Sequence, residues 1–311
     1  MKIAVIGVGA VGGYFGGRLA QAGHDVAFLA RGGTLEALRN QGLRVRSVAG
    51  DFEIRHPKVA DDPTHIGHVE VILLAVKAPQ IRQVAASLAP LIGPETAIIP
   101  LQNGLEAPAM LSKLLGPGRV LGGLCKIFAT KTADATVEHI GLPPAIEFGE
   151  LNREKSARVE RIRTELSSAQ GMTTVTPDDI EAAMWEKLLY VEPLGAVGAV
   201  ARAPAGVLRS VPETRRLLQS AMQEVVAVGL KRGVALDPNL PERAMKRVDQ
   251  LPAEATASMQ RDLMDGRPSE FEYQVGTVVR YGAESGAPTP VHAMIYAALL
   301  PGDLRSRGEL P

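Results

Sequence analysis

The 311-residue sequence has one cysteine, no net charge and no long hydrophobic run. Because Cys125 has no partner for an intrachain disulfide, we expect stability from buried apolar area and a reducing cytoplasmic location. The 34 basic residues balance 34 acidic ones, which gives no overall electrostatic reason to bind nucleic acid or an anionic membrane. Apolar stretches such as 71–76 are far shorter than the roughly 20 residues that cross a bilayer. We therefore expect a soluble protein without nucleic-acid or membrane partners.

Metal binding is also not expected from the residue pattern. His65 and His68 lie three positions apart in a turn-rich segment, but no third cysteine, histidine or acidic residue stands at metal-ligand spacing. Cys125 has no recognisable base near it in sequence, so we interpret it as a buried core thiol rather than a nucleophile.

The hydrophobic pattern predicts an α/β first half. Short aliphatic runs there alternate with segments of helical period, which is typical of a parallel sheet with helices on its faces. An alternation over 43–59 predicts an inserted hairpin, and another over 120–148 predicts antiparallel strands that finish the sheet. The aliphatic runs cover residues 3–6, 26–29, 69–76 and 96–99.

The second half is predicted to be helical. After Val175 the strand pattern stops, and long segments of alanine, leucine, valine and methionine take over. Thr176-Pro177-Asp178-Asp179 is a typical helix start. We predict a Rossmann-type doubly wound sheet in residues 1–175, binding NADP, and an all-helical substrate and catalytic domain in residues 176–311. Such a helical domain allows a homodimer, although no pattern identifies an interface.

A glycine motif follows the first predicted strand and precedes a helical segment. In such a motif the first glycine permits a tight turn, the second lets the backbone approach a pyrophosphate, and the third allows close helix packing. The alternative is a glycine-rich turn in a nonbinding α/β protein. The predicted dinucleotide-binding residues are Gly7, Val8, Gly9, Ala10, Val11 and Gly12.

Two basic residues follow later strands. NAD-preferring folds place an acid at the end of the second strand to bind the ribose hydroxyls, but this strand ends Leu29-Ala30-Arg31. Arg31 can pair with a 2′-phosphate, which favours NADP(H). Lys77 directly follows the 69–76 run. In such folds the carboxyl ends of the strands face the ligand crevice. A solvated loop arginine and a solvated strand-end lysine are the alternatives.

Lys187 is the candidate proton donor, because burial and neighbouring charges can bring a lysine pKa toward the working pH. Taken alone, Lys187 is more simply a solvated helical lysine, because most helical lysines are solvated. Its neighbours along the chain give it context, since a set of motifs in the same order resembles the ketopantoate reductase (2-dehydropantoate 2-reductase) family. Besides the glycine motif and Arg31, the matching segments are Val76-Lys77, Gln102-Asn103-Gly104, Trp185-Glu186-Lys187-Leu188, Thr256-Ala257-Ser258-Met259 and Glu270-Phe271-Glu272-Tyr273.

The resemblance implies a cleft between a Rossmann domain and a helical domain that closes over NADPH and a 2-oxo acid. It implies that Lys187 is the general acid and that Glu270 holds the substrate hydroxyl or orients the lysine. It further implies that Ser258 binds the substrate carboxylate, that Asn103 positions nicotinamide and substrate, and that Lys77 lies on the cofactor side.

The sequence departs from the family at four positions that carry asparagine in ketopantoate-specific members. These positions are Val191, Gly195, Ala205 and Ala255. Because losing hydrogen-bonding partners should change specificity, we expect a more apolar pocket. Arg202 is a candidate substitute anchor for a carboxylate, with a surface arginine as the alternative.

Three functions remain after this reading. The first is reduction of 2-dehydropantoate to pantoate, a step of pantothenate and coenzyme A biosynthesis. The second is reduction of another branched or aryl 2-oxo acid, as in relatives that act as D-2-hydroxyacid dehydrogenases. The third is an NADP-binding protein that has lost its chemistry; the missing asparagines favour it, whereas the retained Lys187 and Glu270 oppose it.

Overall fold

A computed structural model describes residues 1–310, and their contacts divide the chain into two compact units. The first unit contains residues 1–102 and 107–180, and the second contains residues 103–106 and the chain from 181 onward. The strands are β1 (Lys2–Ile6), β2 (Asp25–Leu29), β3 (Leu43–Ser47), β4 (Phe52–Ile54), β5 (Lys58–Ala60), β6 (Val69–Leu74), β7 (Ile92–Pro100), β8 (Gly122–Lys126), β9 (Ala129–Ala133), β10 (Thr136–His139), β11 (Ala145–Gly149) and β12 (Thr173–Val175). The helices are α1 (Ala10–Gln21), α2 (Gly32–Gln41), α3 (Ile81–Ala85), α4 (Ala107–Leu115), α5 (Ala157–Leu166), α6 (Ile180–Ala201), α7 (Ala205–Ser210), α8 (Pro212–Lys231), α9 (Leu240–Gln250), α10 (Ser258–Met264), α11 (Phe271–Ser285) and α12 (Pro290–Ser306).

A five-stranded parallel sheet in the order β5-β2-β1-β6-β7 forms the centre of the first unit. The aliphatic runs lie in β1, β2, β6 and β7, because a parallel sheet is covered on both faces and needs continuous apolar residues. The predicted hairpin is present as the antiparallel pair β3 and β4. The end of that segment was wrongly included in the insertion, since β5 instead pairs parallel with β2 and forms the sheet edge. Buried Ala60 fixes this edge by accepting a hydrogen bond from the Ala30 amide (3.0 Å).

The strands predicted to finish this sheet form two other sheets, which corrects that part of the prediction. β8 and β11 pair antiparallel in a three-stranded sheet with β12, whereas β9 and β10 join β3 and β4 in a four-stranded sheet. The chain just before β8 bridges to β7, where the Leu121 amide donates to the Ile98 carbonyl oxygen at 3.0 Å. A Cβ on Gly123 would lie 2.5 Å from the carbonyl oxygen of Pro100, so β8 packs on the end of β7.

The second unit is helical, as predicted, and α6 to α12 surround an apolar core that includes Trp185 and Phe271. The helix start was expected at Pro177, but α6 begins at Ile180. The two aspartates before it are instead paired within the first unit, Asp178 with Lys155 (2.9 Å) and Asp179 with Arg153 (3.0 Å). Within residues 1–310, no helix combines the length and apolar character needed to cross a membrane.

One charged cluster lies inside the second unit. The His292 ring is fully buried and lies 2.6 Å from a Glu224 oxygen and 3.0 Å from a Glu192 oxygen. Glu224 also accepts hydrogen bonds from the backbone amides of Val291 and His292, in the first turn of α12. The cluster therefore joins α6, α8 and α12. Burial disfavours the imidazolium, but the two carboxylates outweigh it and raise the pKa of His292 to about 9.

Candidate active site

The candidate cofactor residues lie at the carboxyl ends of strands in the parallel sheet. Arg31 follows β2, the glycine motif follows β1, and Lys77 follows β6, and these three strands are adjacent in the sheet. From β1 the chain passes to β2 and β5 on one side of the sheet and then crosses to β6 and β7 on the other. A topological switch point therefore lies beside β1. In open α/β sheets, ligands bind outside the carboxyl ends of the strands at such a point. The fold thus brings the glycine motif, Arg31 and Lys77 to the same end of three neighbouring strands.

The three glycines of the motif differ in what a side chain would meet. Gly7 has φ +95°, and a Cβ there would lie 2.8 Å from the Val76 amide nitrogen. A Cβ on Gly12 would lie 2.0 Å from the Gly7 carbonyl oxygen, whereas no atom lies within 4 Å of a Cβ placed on Gly9. Gly9 is the N-cap of α1, which has neither a side-chain cap nor an acidic residue in its first turn. An open approach to uncapped amides suits a pyrophosphate.

Arg31 is exposed and is the N-cap of α2, whose first turn also lacks an acidic residue. A carboxylate that sequence reasoning missed nevertheless lies close to this helix start. Asp134, from the turn after β9, accepts a hydrogen bond from the Thr34 hydroxyl (2.9 Å) and pairs with Lys131 (2.6 Å). The Lys131 hydrogen bond, followed by that of Thr34, lowers the pKa of Asp134 below its ordinary value. The positive charge of Lys131 thus balances the negative charge of Asp134 beside this helix start. Its separation from Arg31 in sequence explains why no motif indicated it.

Gln102 also lies at these strand ends, and sequence reasoning missed its role there. Its buried side-chain amide donates to the carbonyl oxygens of Leu74 and Val76, both at 2.8 Å. These bonds hold the backbone between β6 and Lys77, an exposed residue that precedes a short 3-10 helix (Ala78–Gln80). Its place beside Asn103 in the Gln102-Asn103-Gly104 motif was the available signal.

The candidate catalytic and substrate-binding residues belong to the second unit, and Asn103 and Glu270 are in direct contact. The Asn103 amide donates to Glu270 Oε2 at 3.1 Å, although 167 positions separate the two residues. Glu270 is the N-cap of α11 and is half-buried. Lys187 is half-buried on α6. Residues four and eight positions after Lys187, Val191 and Gly195, share its helix face.

The two candidate carboxylate-binding residues are both exposed. Ser258 is the first residue of α10. Arg202 follows the end of α6 with φ +52°, a left-handed conformation that is uncommon for an arginine. Exposure gives each side chain access to a ligand.

An ion-pair network surrounds the loop that carries Asn103. Arg280 on α11 pairs with Glu106 at 3.0 Å and with the Glu272 carboxylate, and it donates to the Glu272 carbonyl oxygen at 2.9 Å. The Tyr296 hydroxyl donates to the other Glu272 oxygen at 2.9 Å. Burial disfavours the guanidinium, but Glu106 and Glu272 outweigh it and raise the pKa of Arg280. Arg280 therefore stays a cation and binds two carboxylates at once.

Two of the four positions without asparagine, Gly195 and Ala205, are buried and closely packed. A Cβ on Gly195 would lie 3.0 Å from Met259 Cε and 3.1 Å from Ala257 Cβ, so apolar atoms fill the space where a family asparagine would extend. Ala205 is fully buried and its amide donates to the Ala255 carbonyl oxygen at 2.9 Å. The loss of polar groups is thus accompanied by apolar packing around Gly195.

Cys125 is buried in the apolar core of the first unit, as predicted. Its sulfur is 3.5 Å from the Leu101 carbonyl oxygen. Among residues 1–310, no group of three or more histidine, cysteine or acidic side chains is arranged to hold a metal ion.

Comparisons with known proteins identify the family. Residues 3–153 match the family model "Ketopantoate reductase PanE/ApbA", and residues 179–301 match "Ketopantoate reductase PanE/ApbA C terminal". The chain belongs to the ketopantoate reductase family. Members of this family are dinucleotide-binding oxidoreductases that act on CH–OH groups, and the chain is accordingly an oxidoreductase of the 2-oxo acid reducing type.

Three similar proteins illustrate the range of the match. A 2-dehydropantoate 2-reductase from Geobacter metallireducens GS-15 is 31% identical with a TM-score of 0.90, covering 97% of this chain and 99% of that one. An uncharacterized oxidoreductase from Bacillus subtilis is 29% identical, covering 96% of this chain and 98% of its own length. A D-mandelate dehydrogenase solved with NADH and anilino(oxo)acetate shares the fold at a TM-score of 0.89 and 21% identity, with 99% of each chain covered.

Proposed function

We propose that this ketopantoate reductase family member reduces a 2-oxo acid to a 2-hydroxy acid with NADPH. The observation that carries the proposal is the hydrogen bond between Asn103 and Glu270. Two distant residues that were expected to serve one reaction are thereby held together in one unit. Because the bond joins a residue expected to position the substrate to one expected to act in catalysis, it favours a reductase over a protein that only binds a dinucleotide.

The cofactor residues we assign all lie at the carboxyl edge of the parallel sheet. The uncapped amides after Gly9 would bind the pyrophosphate, and Arg31 would pair with the 2′-phosphate. Lys77 would contribute a further positive charge beside the same strand ends. When bound, the reduced nicotinamide supplies a hydride to the carbonyl carbon.

The residues of the second unit would supply the proton and hold the substrate. Lys187 would donate a proton from its Nζ to the carbonyl oxygen, and its ammonium would stabilise the negative charge that develops there. Glu270, oriented by Asn103, would bind the resulting hydroxyl or orient Lys187. Ser258 would bind the carboxylate, with Arg202 as a second cationic contact.

Within this class we propose 2-dehydropantoate as the substrate and pantoate as the product, a step of pantothenate and coenzyme A biosynthesis. A specific observation favours a second candidate. Because Met259 and Ala257 fill the space beside Gly195, a substrate hydroxyl would find no amide there. Another branched or aryl 2-oxo acid would suit that apolar wall, and a D-mandelate dehydrogenase shares the fold.

The test is NADPH oxidation, followed by absorbance, with 2-dehydropantoate, 2-oxoisovalerate and phenylglyoxylate. Preference for 2-dehydropantoate by several orders of magnitude would support the first substrate and refute the apolar-pocket candidate, and the reverse preference would do the opposite. Lys187→Ala should lower kcat by ~100-fold or more while leaving NADPH affinity nearly unchanged, since a positioned general acid contributes roughly that much. Saturable NADPH binding without any turnover across the panel would refute the reductase and favour a binding protein.

A further inference from the structure

The loop at residues 103–106 is attached to α11 at both of its ends. At one end, the Asn103 amide donates to Glu270 Oε2 at 3.1 Å. At the other end, a Glu106 oxygen lies 3.0 Å from Arg280 Nη2. Between them, Gly104 has φ +100°, and a Cβ there would lie 2.3 Å from the Tyr273 carbonyl oxygen. The loop backbone thus lies directly on the first turn of α11.

Arg280 joins these attachments through one guanidinium. It reaches back along α11 to Glu272, two residues after Glu270, and binds both its carboxylate and its carbonyl oxygen. The Tyr296 hydroxyl holds Glu272 from α12. Glu106 has 19% of its side chain exposed and Glu272 has 31%, so water screens these contacts only partly. The same cation therefore fixes the far end of the loop and the start of the helix that carries Glu270.

We propose that Arg280, acting through Glu106, is a positioning residue that holds the Asn103 amide against Glu270. The proposal rests on the proposed function, because it assigns the purpose of the contact to 2-oxo acid reduction. Its effect reaches Asn103 through the four-residue loop, whose far end Arg280 holds at Glu106. Positioned groups lose much of their effect when displaced by about 1 Å, and losses of roughly 100-fold are typical of such misplacement.

Two variants break the ion pair between Arg280 and Glu106, one at each partner. Arg280→Met deletes the guanidinium but keeps an unbranched apolar side chain, and Glu106→Gln removes the charge but keeps the shape. Each should lower kcat at least ~10-fold with little change in the KM for NADPH, and the double variant should be no slower than the slower single variant, since both break one link. Arg280→Lys should recover part of the rate, because an ammonium can pair with Glu106 without the second, forked contact.

A matched control lies farther along the same helix. Arg232 pairs with Glu284 at 2.8 Å and lies over the Tyr281 ring, so Glu284→Gln also removes an arginine-carboxylate pair from α11. This control should leave kcat unchanged. Equal losses of kcat in Glu284→Gln and Glu106→Gln would mean that α11 stability, and not the loop, sets the rate, and would overturn the proposal.

Hydrogen exchange measured by mass spectrometry gives a readout that needs no turnover. Peptides covering residues 103–106 should exchange faster in Arg280→Met and Glu106→Gln than in the unaltered protein, but not in Glu284→Gln. Unchanged exchange of this loop would refute the positioning role even if kcat falls. Absence of 2-oxo acid turnover by the unaltered protein would instead refute the proposed function, and the exchange result would still decide whether Arg280 holds the loop.

Discussion

Replacing His292 with glutamine should make the second unit lose a pH-dependent part of its stability. His292 lies between Glu192 and Glu224 with no exposed surface, and these carboxylates raise its pKa from the ordinary 6.5 to about 9. At about 1.4 kcal/mol per pH unit, that difference corresponds to about 3 kcal/mol of stability. A glutamine can still form hydrogen bonds at this position, but it cannot carry the charge.

The sign follows from the raised pKa of His292. The folded protein binds the proton more tightly than the unfolded chain, so this contribution is fully present below about pH 6.5. It is lost as the pH rises through about 9. The free energy of unfolding of the unaltered protein should therefore exceed that of His292→Gln by about 3 kcal/mol at pH 6 and by much less at pH 10.

Glu224 limits the useful pH range on the acid side. Burial disfavours its charge, but hydrogen bonds from the His292 ring and from the backbone amides of residues 291 and 292 lower the pKa of Glu224 below its ordinary 4.5. Its contribution is present above that value and is lost as the pH falls through the lowered pKa. Measurements at pH 6 to 10 thus isolate the histidine.

The assay is urea unfolding followed by tryptophan fluorescence. Trp185 is the only tryptophan of the chain and lies in the core of the second unit with 2% of its surface exposed, so its emission reports this unit. Glu192→Gln provides a second variant, because losing one carboxylate should move the pH dependence toward lower pH. A difference between unaltered protein and His292→Gln that stays constant from pH 6 to 10 would refute the reasoning.

Three further predictions concern the cofactor and the substrate. Arg31→Ala should weaken NADPH binding roughly 10- to 100-fold and leave NADH binding nearly unchanged, since a charge-assisted hydrogen bond contributes about 1.5–3 kcal/mol; equal losses measured by titration would disprove recognition of the 2′-phosphate. Gly12→Ala should lower the free energy of unfolding, measured by thermal unfolding, by about 1–3 kcal/mol, because its Cβ would overpack against the Gly7 carbonyl oxygen. Gly9→Ala has open space around its Cβ, so it should change the free energy of unfolding by no more than about 0.5 kcal/mol but weaken dinucleotide binding. Gly195→Asn should raise kcat/KM for 2-dehydropantoate over 2-oxoisovalerate only when Met259→Ala makes room for it, and a gain without that second change would contradict the packing argument.

The sequence predicted those parts of the fold that are encoded locally. The glycine motif, its strand and its helix occupy residues 2–21, so spacing and residue type were sufficient to identify the turn. The pairing of strands depends on contacts between distant segments, which hydrophobic alternation does not report. For this reason β5 was placed in the hairpin instead of at the sheet edge, and β8 to β11 were assigned to the wrong sheet.

The same limit applies to the candidate site, where the chemical groups were identifiable but their supports were not. Asn103 and Glu270 were found through motifs, whereas Arg280 and Glu106 lie 174 positions apart and follow no spacing rule. Gln102 belongs to the same motif as Asn103, but the motif does not indicate its role, because its partners are backbone carbonyl oxygens that any residue would present. The contacts by which a side chain holds a loop or the backbone follow no spacing rule in one sequence, so only distances in the structure identify them.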